Sequence, residues 1–419
     1  MLPVRRLAAA VLSICCVLGG VFSVSSARAS CPIAGLPIDC VSAPPAAPAP
    51  APDPGGSESP NQPVPYPGKL WGFNLGYPAT GSATTALAAL AATGAQVLRD
   101  NISWAAFSSD TSPSQPIPPE MNAPLGDAAP GSVLAHYDQE YLDLTGAGIT
   151  PDFIIGQAPL WASTLHDCAE TSYFVLHAQL CGNTQDPGQP LYPDSSYYPQ
   201  WAAFVAAVAR RYPEAIIEGP NEPDYAYSEQ QAGEGYPGAV DASQAAAIQC
   251  ELFDAVRSVD DRMVLSSGMS IPGYYTTFIE DAHGCYDAFS FHAYPYATSA
   301  GSETYFGAGS GLAQEFADLR SAREAAGDTT PIWVTETGFE FTPSSIDSTS
   351  PADQAQEETF ADASRRLYNR LMTMPDVGAV LFHTLRDVSD HYGFFNNDWT
   401  PKPRACYFVT QHGGSWPGC

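Results

Sequence analysis

Short apolar runs that alternate with helical patterns constrain this chain more than any other feature. Eight runs read as strands: 70–76 (LWGFNLG), 95–100 (AQVLRD), 150–156 (TPDFIIG), 215–222 (AIIEGPNE), 263–269 (MVLSSGM), 288–294 (AFSFHAY), 331–337 (PIWVTET) and 378–385 (GAVLFHTL). Helical patterns fall between them at 83–93, 133–147, 200–212, 240–259, 310–326 and 354–373. Eight strands with interleaved helices predict an α/β fold of the (β/α)8 TIM barrel type. Loop lengths point the same way. Helix-to-strand connections are short (GAGIT, RRYPE, DDR), whereas strand-to-helix connections are long (101–132, 157–199, 223–239, 295–309, 338–353). A barrel with long loops at one end has a built-up C-terminal face, where such barrels place their active sites. The competing fold, a doubly wound open sheet, wants a Gly-rich phosphate loop after its first strand, and LGYPATGSAT is a poor match.

The flanks read differently. MLPVRR is a basic start, LAAAVLSICCVLGGVFSV is apolar, and Ala27-Arg28-Ala29 has the small-x-small form of a cleavage site. Residues 1–29 are therefore expected to be a signal peptide, with a membrane anchor as the rival reading. Residues 30–67 are rich in Pro and Ala, which predicts a largely disordered, semi-rigid linker. A single catalytic domain is expected over 68–419. No later stretch reaches the ~20 apolar residues of a membrane span. Export fits the cysteines. Ten are present, and Cys15 and Cys16 leave with the signal. The other eight fall in local pairs: Cys31 and Cys40, Cys168 and Cys181, Cys250 and Cys285, Cys406 and Cys419. Sequential disulfides are one of about 105 connectivities, favoured because each loop is short. Zinc is the rival, but no CxxC pair exists. The formal charge is −28, and loss of Arg5, Arg6 and Arg28 makes the remainder more acidic still. Such a surface repels nucleic acid and anionic membranes and leaves a neutral polysaccharide unaffected. The expected setting is secreted, extracellular or wall-associated, and a monomer is expected.

Two carboxylates stand at predicted strand ends. Glu222 ends the fourth strand and Glu336 the seventh. In a closed barrel these ends face each other across the mouth. Facing carboxylates suit glycoside hydrolysis, in which one must carry a proton and the other must be ionised. A separation of about 5–5.5 Å gives retention of configuration, and roughly 6.5–9.5 Å gives inversion.

These residues resemble the clan A glycoside hydrolases, retaining (β/α)8 enzymes whose fourth strand ends in Asn-Glu-Pro and whose seventh ends in Glu. Families 5 and 39 and related bacterial secreted glycosidases come nearest. The resemblance covers roughly Leu70 to Gln411 and includes GPNEP, TETG, GAQVLRDNISW, PDFIIGQAPLWA, FSFHAYPY and VLFHTLRDVSDHYGFFNNDWTPKPRACY. It implies Glu222 as acid/base and Glu336 as nucleophile. It further implies Asn221 at the 2-hydroxyl of the reacting sugar, Arg99 beside the nucleophile, and His292 and Tyr294 flanking it. Trp71, Trp104, Trp161 and Trp399, at predicted strand ends or in long loops, are candidate sugar-stacking surfaces, with core burial as the alternative. Trp201 and Trp333 read as core.

Two departures stand out. Members of the clan commonly carry Trp late in strand eight, where this chain has Phe382 or His383, and Gly219-Pro220 precedes Asn221. His383 has no metal companion at useful spacing, and no metal or cofactor is implied. The expected activity is hydrolysis of O-glycosyl bonds in a polysaccharide or oligosaccharide by double displacement. A non-catalytic carbohydrate-binding protein on the same scaffold, and a transglycosylase, are the alternatives.

Overall fold

Each predicted run overlaps a strand, with β2 reaching three residues past its run and β8 starting one residue before its own. The computed structural model describes residues 68–74, 83–169, 172, 191–232, 238–295, 311–340, 351–387 and 391–419. The strands are β1 (Leu70–Asn74), β2 (Val97–Ser103), β3 (Thr150–Gly156), β4 (Ile216–Glu218), β5 (Val264–Leu265), β6 (Phe289–His292), β7 (Ile332–Thr337) and β8 (Val377–His383). All pair in parallel, in the order β5-β4-β3-β2-β1-β8-β7-β6. The two outer strands meet through parallel bridges, Leu265 to Ala288 and Met269 to Phe291, and the ring closes into a barrel. Every neighbour in sequence is a neighbour in space. That order is available to parallel strands because a helix crossover returns the chain to the same end each time.

Six helices lie where the sequence placed them: α1 (Ala83–Thr93), α2 (Val133–Gly146), α3 (Tyr198–Arg211), α5 (Ala242–Arg257), α7 (Gly311–Ala326) and α8 (Pro351–Thr373). Three others were not among the helical patterns: α4 (Pro223–Ala232), which falls in a stretch read as a long loop, α6 (Pro272–Ala282) and α9 (Pro403–Gln411). Each of these begins on a proline. At the first helical position the missing N–H has no partner to lose and the fixed φ suits the helix.

Apolar side chains fill two separate spaces. The larger cluster lies between the strands and the surrounding helices, and includes Trp71, Phe73, Trp104, Phe153, Trp201 and Phe408. The smaller fills the lumen with Val97, Ile216, Leu265, Ala288, Trp333, Ala379 and Leu381. Residues two apart on a strand share a face. One step further along, Val97 gives way to Arg99, Ile216 to Glu218 and Ala288 to Ser290, all fully buried. The lumen thus changes from an apolar floor to a charged layer on the way to the C-terminal rim.

Disulfides join Cys250 to Cys285 and Cys406 to Cys419, as sequential pairing expects. Cys168 is also disulfide-bonded. The expected signal peptide and linker, and Cys31, Cys40 and Cys181, lie outside the described residues. Among the described residues no helix is long and apolar enough to cross a membrane.

Candidate active site

Strand ends deliver the polar residues of the site. Arg99 is the third residue of β2, and its guanidinium is completely buried. All five of its N–H groups are used. Nε and Nη2 donate to Glu218 Oε2 and Oε1 at 2.6 and 2.8 Å, a bidentate anchor across the lumen. Nη1 donates to Asn74 Oδ1 at 3.1 Å and to Glu336 Oε1 at 2.7 Å, while Nη2 also reaches Asn221 Oδ1 at 2.7 Å. The surrounding carboxylates keep Arg99 cationic despite its burial.

Glu336 reaches the lumen through an irregularity in its own strand. The register of β7 shifts against β8 between Val334 and Thr337, and β6 shifts against β7 between Phe291 and His292. Such shifts re-aim side chains. Here Thr335 bonds Ser290 inside the barrel, yet the next residue, Glu336, also points inward to Arg99. Its second oxygen accepts from the Tyr294 hydroxyl at 2.8 Å. Burial alone would raise its pKa, but His292, Arg99 and His383, with the Tyr294 hydrogen bond, hold it at about 2. Glu336 is therefore a carboxylate at working pH. Burial and the Glu336 charge push the Tyr294 phenol well up, so it stays a donor.

Glu222 lies beyond β4, in the turn that starts α4. Its backbone has φ 46°, the left-handed region. A residue before proline prefers extended backbone, and holding a non-glycine residue here costs on the order of 1–3 kcal/mol. The surroundings fix it: its N–H donates to the Gly268 carbonyl at 3.0 Å, and its own carbonyl accepts from Ala226. This aims the side chain, which is a third exposed, at His292 Nδ1, 2.7 Å away. The imidazole in turn stands 3.7 Å from Glu336 through Nε2. Burial alone would lower the His292 pKa, but Glu336 and Glu222 raise it. Gly268 makes room for this ring, since a Cβ there would lie 2.2 Å from His292 Nε2.

One carboxylate oxygen of Glu222, one of Glu336 and a His292 nitrogen thus lie within 4.8 Å of one another. Such a trio resembles a cation site. However, Arg99 sets a fixed positive charge 2.7 Å from the same Glu336 oxygen, so a divalent ion would be repelled there.

Of the residues singled out in the sequence, Glu222, Glu336, Arg99, Asn221, His292 and Tyr294 converge in one hydrogen-bonded cluster. His383 joins its edge. Asn74 Nδ2 lies 3.1 Å from His383 Nδ1, and the His383 ring packs against Tyr294 and Tyr392. Phe382, the other candidate for that position, is buried in the core.

The tryptophans fall elsewhere. Trp71 is the second residue of β1 and stacks on Phe408 and His412 of the α9 region, each at 4.9 Å. Trp104 folds back over α3, stacked on Phe204 at 5.5 Å with its Nε1 donating to the Pro116 carbonyl. Both are buried and offer no face to a sugar, which corrects the stacking expectation for them. Trp161 and Trp399 are half-buried. The first packs on Trp104 and Tyr197, and the second lies under Arg386 and beside Phe395. Sequence reasoning missed Asn74, Glu218 and Tyr392. The available signal for Glu218 was a carboxylate inside an apolar run, which demands a partner.

No protein-family model matches this chain, and no curated protein matches its sequence. Solved structures do match. A family 39 glycoside hydrolase from the gut symbiont Bacteroides cellulosilyticus WH2 aligns over 83% of this chain and 64% of its own, at 17% identity and TM-score 0.51. This chain therefore spans under two thirds of that protein's length. Fpglu1 from Fervidobacterium pennivoraus aligns over 79% of this chain and 83% of its own, at 13% identity and TM-score 0.55. A hyperthermophilic beta-glucosidase from Pyrococcus furiosus aligns over 84% and 96%, at 14% identity and TM-score 0.51. The chain is similar to these proteins in fold: it has the (β/α)8 barrel of the clan A glycoside hydrolases.

Proposed function

We propose that this chain is a secreted, retaining glycoside hydrolase in which Glu336 is the nucleophile and Glu222 the acid/base. The observation that carries the reading is the convergence of two carboxylates, from β7 and the turn after β4, to within 4.8 Å of each other, with Glu336 buried and Glu222 a third exposed. That spacing suits direct attack and leaves no room for the water of an inverting mechanism. Glu336, kept ionised by Arg99 and Tyr294, attacks the anomeric carbon. Glu222, more exposed and bonded to a histidine, protonates the leaving sugar and later takes a proton from water. Asn221 is turned by its bond to Arg99 so that its amide N–H group is left for the 2-hydroxyl, a contact that strengthens in the transition state. His383 is read as standing in for the tryptophan that the resemblance expects beneath the reacting sugar, with the Tyr392 ring packed against it. The glycosidase fold of the structural neighbours supports a carbohydrate substrate, read here as a polysaccharide or oligosaccharide.

Glu336→Ala and Glu222→Ala are each expected to lower turnover by about 10³-fold or more while leaving the fold intact. Azide is expected to restore part of the activity of Glu222→Ala and to give a product of retained configuration. Full activity in both variants on a panel of defined oligosaccharides would end the assignment.

A further inference from the structure

One carboxyl beneath the site has no donor of its own among the described residues. Asp152, on β3, is the strand partner of Arg99 on β2 and is completely buried. Among the described residues, no N–H or O–H group donates to either of its oxygens. Its polar neighbour is Glu218 of β4, which already accepts from Arg99 Nε and Nη2 and from the Ser290 hydroxyl at 2.7 Å. Ionised carboxylates only accept hydrogen bonds. Two of them side by side in a buried lumen would repel, and an unpaired buried carboxylate is among the most costly groups to hide. A proton on Asp152 turns the same contact into an O–H···O⁻ hydrogen bond.

The charges in this part of the lumen agree. Arg99 comes from β2, Glu218 from β4, His292 from β6 and Glu336 from β7, while Asn74 and Ser290 are neutral. Arg99 already serves two carboxylates, Glu218 and Glu336. A third anion would compete for its charge.

We propose that Asp152 is a neutral carboxylic acid in the working protein, its O–H donating a hydrogen bond to Glu218, and that it acts as a positioning residue. It holds Glu218, Glu218 holds the Arg99 guanidinium, and Arg99 presents its remaining N–H groups to Glu336 and Asn221. Burial and the Glu218 charge both push the Asp152 carboxyl well above the usual range, in the same direction. The catalytic consequence rests on the proposed role of Glu336, whereas the protonation state does not.

The test uses Asp152→Asn and Asp152→Ala in the full chain. In the infrared difference between wild type and Asp152→Asn at neutral pH, the carbonyl band of a protonated carboxyl is expected to vanish with the substitution. Loss of a carboxylate band instead would overturn the proposal. The amide of Asp152→Asn donates to Glu218 as the acid does. Its turnover is therefore expected within about threefold of wild type, less than the loss of one hydrogen bond. Both limbs of its pH–rate profile should stay in place, and a shifted acid limb would mean that a charge had been removed. Asp152→Ala leaves Glu218 without that donor, so kcat is expected to fall roughly 10- to 100-fold with KM little changed. A kcat equal to wild type would sink the positioning role. If the wild type cleaves no glycoside, the proposed function fails while the infrared result still decides the state of Asp152.

Discussion

Arg99 is the residue on which the candidate site turns, because its five N–H groups hold four different partners from one planar fork. A lysine ammonium has three donors and no fork. Arg99→Lys is expected to cost roughly 3 kcal/mol of stability, the scale for breaking a buried ion pair, measured by urea unfolding. The same change should raise the acid limb of kcat/KM as Glu336 loses the hydrogen bond from the guanidinium, which the shorter ammonium stem does not reproduce. Gly268 makes the second residue-scale case. An alanine there would press a methyl against His292 and move it off Glu222. Gly268→Ala is expected to lower kcat roughly tenfold or more and stability by about 1–3 kcal/mol. Neither consequence is visible from the residue alone. Glu222 and Glu336 were legible because they end predicted strands in a known order, whereas Arg99 and His292 came only with the family resemblance. Glu218, Asn74 and Asp152 stayed hidden because what matters in them is a cross-lumen partner, and a linear pattern does not record who faces whom.

At the scale of elements, the strands and six helices were legible from their apolar runs. The helices that were missed begin on proline in polar surroundings, where a loop signal and a helix start look alike. β4 and β5 are shorter than their runs suggested, stopping at Glu218 and Leu265. The surplus residues became the turns that carry Asn221, Glu222 and Gly268. The tryptophans erred for a similar reason: closeness to a strand end does not say which side of the strand a ring takes. Trp104→Ala should therefore act on stability, costing about 3–5 kcal/mol, and leave KM unchanged at temperatures where the variant is folded. The Cys250–Cys285 bridge ties α5 to the segment entering β6 and closes a loop of 35 residues. Replacing both cysteines by serine is expected to lower unfolding free energy by about 3–4 kcal/mol, read by thermal or chemical unfolding.

Over the whole molecule, buried acids set the pH response. Burial pushes Asp100 up to about 6, and burial together with Asp100 raises Glu140 well above its usual range. Asp152 follows the same pattern beneath the site. In the unfolded chain all three ionise near pH 4. The native state thus binds protons more tightly than the unfolded one, so their contribution is full below about pH 4 and declines as pH rises. Asp100 loses its share between about pH 4 and 6, and the other two continue higher. Glu336 works oppositely: held at about 2, it stabilises above its ordinary value and is lost as pH falls toward 2. Melting temperature is expected to peak on the acid side of neutrality and to drop from pH 5 to 8, with Glu140→Gln flattening that drop. A further consequence comes from the floor of the barrel, where Ile216, Leu265, Trp333 and Leu381 seal the lumen from below. Among the described residues the lumen is apolar and packed at that end, and its polar groups stand at the C-terminal rim. Under the proposed double displacement, a departing sugar must clear that rim before water can reach the enzyme-bound half, so a slow-leaving alcohol competes for it, and crowded solutions of acceptor should divert flux from cleavage to chain transfer.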